Sequence, residues 1–333
     1  MTPARRRGST VAALAFVVLA ACAAVDVEPP ARAQNLSAGV LSPWMSIGGG
    51  WLAAAPTAAG GAAPAPAMPA VPGGRRMLMR PVSVAARGDD VYIADAAARV
   101  LYRYERSADR LQTIAVLGAI RAGLPIGLAV DSARSVYVAD PASGRAYALD
   151  SAGRLRTRYV APHAQPLPVA IAPIGPGPDV LVADGALQRV IRYNPLGRPI
   201  GELPSDRIRF NEIVDMRAGP RGVYVLDRAA RQVVVFERGE TFADAISLDD
   251  VADPVALAVD RTDRVYVLDA ADQTIVVYSN GVAISRFGGG GAVPGRFAGP
   301  TSIDADENLV YVADGGNARV QLLLATPEGA RPR

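Results

Sequence analysis

Three kinds of side chain are nearly missing from this 333-residue chain, and each absence closes off a chemistry. There is one cysteine, Cys22, so no internal disulfide can form. There is one histidine, His163, so the multi-histidine cradle of an ordinary zinc site cannot be assembled. A Ser-His-Asp triad would have to run through that single imidazole. It stands in a proline-flanked connection, Ala161-Pro162-His163-Ala164, where a solvated surface histidine is expected. Lysine is absent altogether, which together with abundant Ala, Gly and Pro suggests a GC-rich coding sequence.

Long apolar runs are scarce too. The run from Val11 to Ala21 is too short to span a bilayer as a stable helix, and it follows Arg5-Arg6-Arg7, the layout of a cleavable signal peptide over residues 1–21. Its end, Leu19-Ala20-Ala21-Cys22, resembles the lipobox of bacterial lipoproteins. That resemblance implies that Cys22 carries a covalent lipid and becomes the mature N-terminus, anchoring the chain to a membrane of the cell envelope. Ala23 in the next position is compatible with delivery to the periplasmic face of the outer membrane. Removing residues 1–21 takes away three arginines and no acids, leaving 32 basic and 32 acidic side chains. A neutral chain lacks the basic excess that displaces counterions from phosphates, so nucleic acid is excluded as a partner.

From 22 to 75 the composition turns to Ala, Pro and Gly, as in Ala62-Ala63-Pro64-Ala65-Pro66-Ala67. Such a stretch has few branched or aromatic side chains to offset the entropy of ordering, and it reads as a tether. Trp44 and Trp51 interrupt it near Met45 and Ile47. Two readings stand side by side: a docking motif for a partner or a membrane interface, or a segment that folds back onto the domain.

What the chain has in plenty is repetition. A five-residue core ending in aspartate recurs six times, with Asp95, Asp140, Asp184, Asp227, Asp269 and Asp314 spaced 45, 44, 43, 42 and 45 residues apart. Each core, such as Val265-Tyr266-Val267-Leu268-Asp269, is rich in β-branched and aromatic residues and follows a turn signal, so it reads as a strand. One apolar strand precedes it and two follow. Four strands at a period near 43 residues predict an all-β fold, a six-bladed β-propeller over residues 76–325 with a C-terminal tail at 326–333. The last unit lacks a fourth strand. Met77-Leu78-Met79 is placed to supply it, so an N-terminal strand around 76–79 is expected to close the ring.

The sixth copy, Gly295-Arg296-Phe297-Ala298-Gly299-Pro300-Thr301-Ser302-Ile303-Asp304 followed by Val310-Tyr311-Val312-Ala313-Asp314 and Gly316-Asn317-Ala318-Arg319-Val320-Gln321, resembles the NHL-repeat motif. The resemblance covers about residues 80–325 and implies a propeller that serves as a binding platform or an enzyme scaffold. It implies a structural role for the repeat aspartates. The repetition argues the same independently, because a catalytic site must break the symmetry. The arginines that follow, including Arg189 and Arg319, are expected to pair with nearby carboxylates or carbonyls. Enzymes of similar six-bladed fold include metal-dependent lactonases. Calcium, which takes oxygen ligands alone, therefore stays open as a cofactor, although no ligand set can be placed and no cofactor beyond the lipid is expected.

The repeat fails in two blades. One position of the inner strand is small in Ser83, Gly127, Ala170, Ala256 and Ser302 but is Asp215 in the fourth unit. Two residues on, Ala85, Ala129, Ala172 and Ala258 give way to Arg217 and Asp304. Alternation puts Asp215 and Arg217 on one face, with Asn211 and Glu212 just ahead of the same strand. These five residues are the candidate binding site, a polar patch at a channel mouth. The competing reading is a buried pair that closes the ring, and alanine substitution separates the two. The function that follows is a monomeric, membrane-anchored propeller that binds an envelope protein or glycan and is not an enzyme. The alternative is an oxygen-ligand metal hydrolase such as a lactonase.

Overall fold

The computed structural model describes residues 40–48, 78–117, 126–174, 179–203, 208–238 and 241–326, all within one compact unit, Asn35–Arg333. The expected signal peptide over 1–21, the expected lipidation site Cys22, Trp51 and the residues beyond Thr326 lie outside the described residues.

The strands assemble as six antiparallel four-stranded sheets, each built from consecutive strands except the last. The fifth blade is typical: Pro254–Val259 innermost, then Val265–Asp269, Thr274–Ser279 and Val282–Gly288. The innermost strands neighbour one another around a closed ring, first against second through to sixth against first, so this is a six-bladed β-propeller.

The second strand of each blade reads as a continuous apolar run because both of its faces are covered, which removes the polar alternation of a half-exposed strand. In the fifth blade Tyr266 and Leu268 pack toward the sixth, while Val265 and Val267 pack toward the fourth. The same division recurs around the ring, and each hydrophobic cluster lies at one junction between blades. An isolated blade would expose both faces. Burying one such Val or Leu contributes roughly 1.5–3 kcal/mol, so ring closure is worth many side chains at once.

The closing strand is not the one the sequence suggested. Leu41–Gly48 pairs antiparallel with Arg319–Ala325, from Leu41 opposite Ala325 to Gly48 opposite Arg319, and completes the sixth blade. Leu41 and Ile47 are buried in the junctions with the fifth and first blades. The reason lies in what residues 78–80 already do: Leu78 is fully buried between blades six and one, and the Met79 and Arg80 amides bond to Asp95. The propeller therefore begins at Leu41, inside the stretch assigned to a 22–75 tether. Trp44 lies on that closing strand, 38% exposed at a register irregularity between Pro43 and Met45.

The repeat aspartates tie the upper face, where the inner strands begin. Asp95 accepts N–H bonds from Ala97 and Ala98 on one side and from Met79 and Arg80 on the other, so one carboxylate fixes a turn and the chain leading into the inner strand. Asp227 and Asp269 do the same for their blades. Four residues after each aspartate the backbone is left-handed, at Arg99, Gly144, Gln188, Arg231, Gln273 and Ala318. Several of these side chains reach the next blade. Gln188 accepts from the Ile213 amide, Arg231 donates to the Val251 carbonyl at 2.6 Å, and Gln273 accepts from the Gly299 amide. Arg319 pairs with Asp314 at 2.8 Å and bonds the carbonyls of Ala292, Val293 and Arg296, and Arg189 pairs with Glu202.

Candidate functional site

The centre of the ring is where the inner strands depart from their small-residue pattern. Arg217, on the fourth inner strand Ile213–Gly219, is 7% exposed and projects among the other inner strands. Its Nη1 donates to the Leu128 carbonyl of the second blade at 2.8 Å. Nε donates to Leu257 of the fifth blade at 3.1 Å, and Nη2 donates to Ile303 of the sixth at 3.1 Å. One guanidinium thus joins four blades, using the planar fork that only arginine offers.

Asp215 lies two residues before it on the same face. Its Oδ2 is 3.5 Å from Arg217 Nη2 and accepts the Leu257 amide of the fifth blade at 3.0 Å. Burial raises its pKa, opposed by the Arg217 charge and by the Leu257 and Met216 amides. Asp304, on the sixth inner strand, accepts the Ala86 amide of the first blade at 2.7 Å. It is partly buried. Burial pushes its pKa up to about 6, eased by the Arg217 charge and its backbone bonds.

Three of the five candidate residues therefore meet at the ring's centre, and two do not. Asn211 and Glu212 stand on the upper face, where their amides bond to Asp227 at 2.8 and 3.0 Å and the Glu212 carboxylate is 3.5 Å from Arg228.

Sequence reasoning missed further ring ties. Ser83 donates to the Ile126 carbonyl, Thr301 donates to Val82 at 2.8 Å, and Ser302 accepts from Val84 at 3.3 Å. Asp306, at the far end of the sixth inner strand, accepts the Gly88 amide at 2.6 Å and lies 3.7 and 3.5 Å from Arg87 and Arg261. Ser83 and Ser302 look unremarkable in sequence because a small residue is the repeat pattern there. Their signal is the hydroxyl. His163 is not a free surface group: its Nε2 lies 2.6 Å from Asp184 Oδ2.

Among the described residues no group of three or more His, Cys, Asp or Glu side chains is placed to hold a metal ion. The protein is thus a six-bladed propeller with an arginine at its centre. No family model matches the chain, and no curated protein matches it. Solved structures do resemble it. A catalytically inactive virginiamycin B lyase from Staphylococcus aureus with quinupristin is 12% identical, with a TM-score of 0.55 over 77% of this chain and 83% of that one. A gluconolactonase from Xanthomonas campestris is 13% identical, with a TM-score of 0.56 over 75% and 87%. A protein of unknown function from Bacteroides thetaiotaomicron is 14% identical, with a TM-score of 0.58 over 75% and 70%. At such identities the likeness concerns the fold.

Proposed function

We propose that this chain is an NHL-type propeller lipoprotein of the bacterial envelope, lipidated on Cys22, whose propeller is a binding scaffold for a protein or glycan partner at the periplasmic face of the outer membrane. The observation that carries this reading is the bridging of the channel by Arg217. The central guanidinium is engaged by carbonyls of three other blades, and Asp215 and Asp304 each hold an amide of the following blade. On this reading the central polar groups are spent on holding the ring together, which leaves the faces and rim of a rigid scaffold for recognition. Asn211 and Glu212, on the upper face, remain candidate contact residues, whereas Asp215, Arg217 and Asp304 act by fixing the scaffold.

The test is crosslinking and capture of the lipidated protein from cells, with a Cys22→Ser soluble form as control. A partner enriched with the anchored form, and retained by the purified propeller in a direct binding assay, supports the reading. Absence of any such partner sinks it. The competing hydrolase reading, suggested by the likeness to a gluconolactonase, makes a different forecast in a thermal-shift series with calcium. The scaffold reading expects a melting temperature unchanged by calcium. A concentration-dependent rise abolished by Asp215→Asn or Asp304→Asn would favour a metal enzyme.

A further inference from the structure

The chain leading into the third blade lacks two ties that other blades have. The blades can be aligned by register, because the first inner-strand residue pairs with the repeat aspartate: Pro81 with Asp95, Pro168 with Asp184, Ile213 with Asp227, Pro254 with Asp269 and Pro300 with Asp314. Two residues before it, Met79, Asn211, Ala252 and Ala298 each donate an amide to the aspartate, at 2.7, 2.8, 2.9 and 2.7 Å. In the third blade that position is Pro166, which has no N–H to give. The following amide, Leu167, reaches Asp184 only at 3.4 Å, against 3.0 Å for Arg80, Glu212 and Asp253 in their blades.

The second missing tie comes from the blade before. Gln188, Arg231 and Gln273 use their side chains to hold the start of the next blade, but the corresponding residue of the second blade is Gly144. A Cβ there would sit 3.0 Å from the Pro166 carbonyl, so the connection into blade three lies directly against this glycine.

His163 stands in for both. Its Nε2 lies 2.6 Å from Asp184 Oδ2, within reach of an imidazole N–H donated to the carboxylate. No residue from Val160 to Leu167 is buried, so little apolar contact holds this connection down. We propose that residues 161–167 form a strap on the upper face, hinged after Val160, whose amide donates to the Gly197 carbonyl at 3.1 Å, and fastened by the His163–Asp184 clasp, which can lift without the blade unfolding and so uncover the Asp184 carboxylate. The clasp is one side chain. The other compared junctions each have a main-chain amide on the aspartate, which cannot be withdrawn separately from the strand it leads into, whatever side-chain ties they add.

The test is hydrogen exchange on the full-length protein, read at the Leu167 amide and at the Gly185 amide, which donates to the Leu167 carbonyl at 2.8 Å. In His163→Ala both should exchange at least tenfold faster, while strand amides of Asp179–Asp184 and the melting temperature stay near their original values. His163→Gln, which keeps a side-chain donor, should fall between. Adding Pro166→Ala to His163→Ala restores a backbone donor and should return protection toward the wild-type level. Unchanged exchange in His163→Ala would overturn the proposal. So would loss of protection throughout the third blade, because the strap would then not be separable, and so would failure of Pro166→Ala to rescue.

Discussion

The upper face and the centre of the ring hold the propeller together in opposite ways. On the upper face, chemically similar carboxylates tie their own blades, and each bond spans a few residues or one strand pair. At the centre a single arginine reaches three other blades at once, and the carboxylates around it each bond a neighbour. The repeated aspartate ties fix the shape of a blade. The unrepeated ones fix the number of blades that can close, because a guanidinium that reaches three particular carbonyls suits one ring diameter.

The difference predicts unequal costs. Arg217→Ala should have the larger effect, about 3–5 kcal/mol, because it leaves three carbonyls unpaired and the buried Asp215 and partly buried Asp304 without their counter-charge. The penalty should shrink on acidification. Without the arginine, the folded pKa values of Asp215 and Asp304 rise further above the unfolded value, and stability is regained as pH falls and these groups take up protons. Calorimetric melting of wild type and variant from pH 8 to pH 5 reads both effects. A variant that melts like the wild type would mean that the centre is incidental to closure.

Much of this was legible in the sequence, and the reasons it was or was not are physical. Six copies expose what is constant, so the aspartates could be read as structural, and they also expose what deviates, which located Asp215, Arg217 and Asp304. The acceptors of Arg217 were invisible because they are main-chain carbonyls of Leu128, Leu257 and Ile303, which every residue has. The closing strand was misplaced because only a few apolar residues of Leu41–Gly48 stand out beside a long Ala, Pro and Gly stretch, and a single unpartnered strand carries no repeat. Leu78 looked like part of an edge strand, yet its burial serves the junction itself. His163 was read as solvated because its partner lies 21 residues away, although Pro166, at a position where other blades donate an amide, was the available clue.

A smaller cost is expected from removing one repeated tie. Asp227→Ala strands the amides of Asn211, Glu212 and Ala230, none of which belongs to a buried residue, and should cost roughly 2–3 kcal/mol. Asp269→Ala, which strands Ala252, Asp253 and Ala271, should cost the same within error. Equal losses from two blades would sharpen the contrast with Arg217. A loss at either aspartate as large as that of Arg217→Ala would break it.

The smallest effect separates charge from geometry at the centre. Burial raises Asp304 from the ordinary 3.8 to about 6, so between those values the folded chain binds a proton that the unfolded chain has released. Stability contributed by this group is therefore greatest in acid, falls as pH rises through that window and stays lower above it. Asp304→Asn keeps an oxygen to accept the Ala86 amide but carries no charge at any pH. Its partial exposure and its attraction to Arg217 both temper the gain, so the variant should equal or exceed the wild type by about 1 kcal/mol at pH 7–8. That is ~2–4 °C in melting temperature. Relative to the wild type, the variant should lose the decline in stability between pH 4 and pH 6. A large loss at all pH values would instead mean that the ring needs a negative charge at this position, and that Asp304 and Asp215 together balance Arg217.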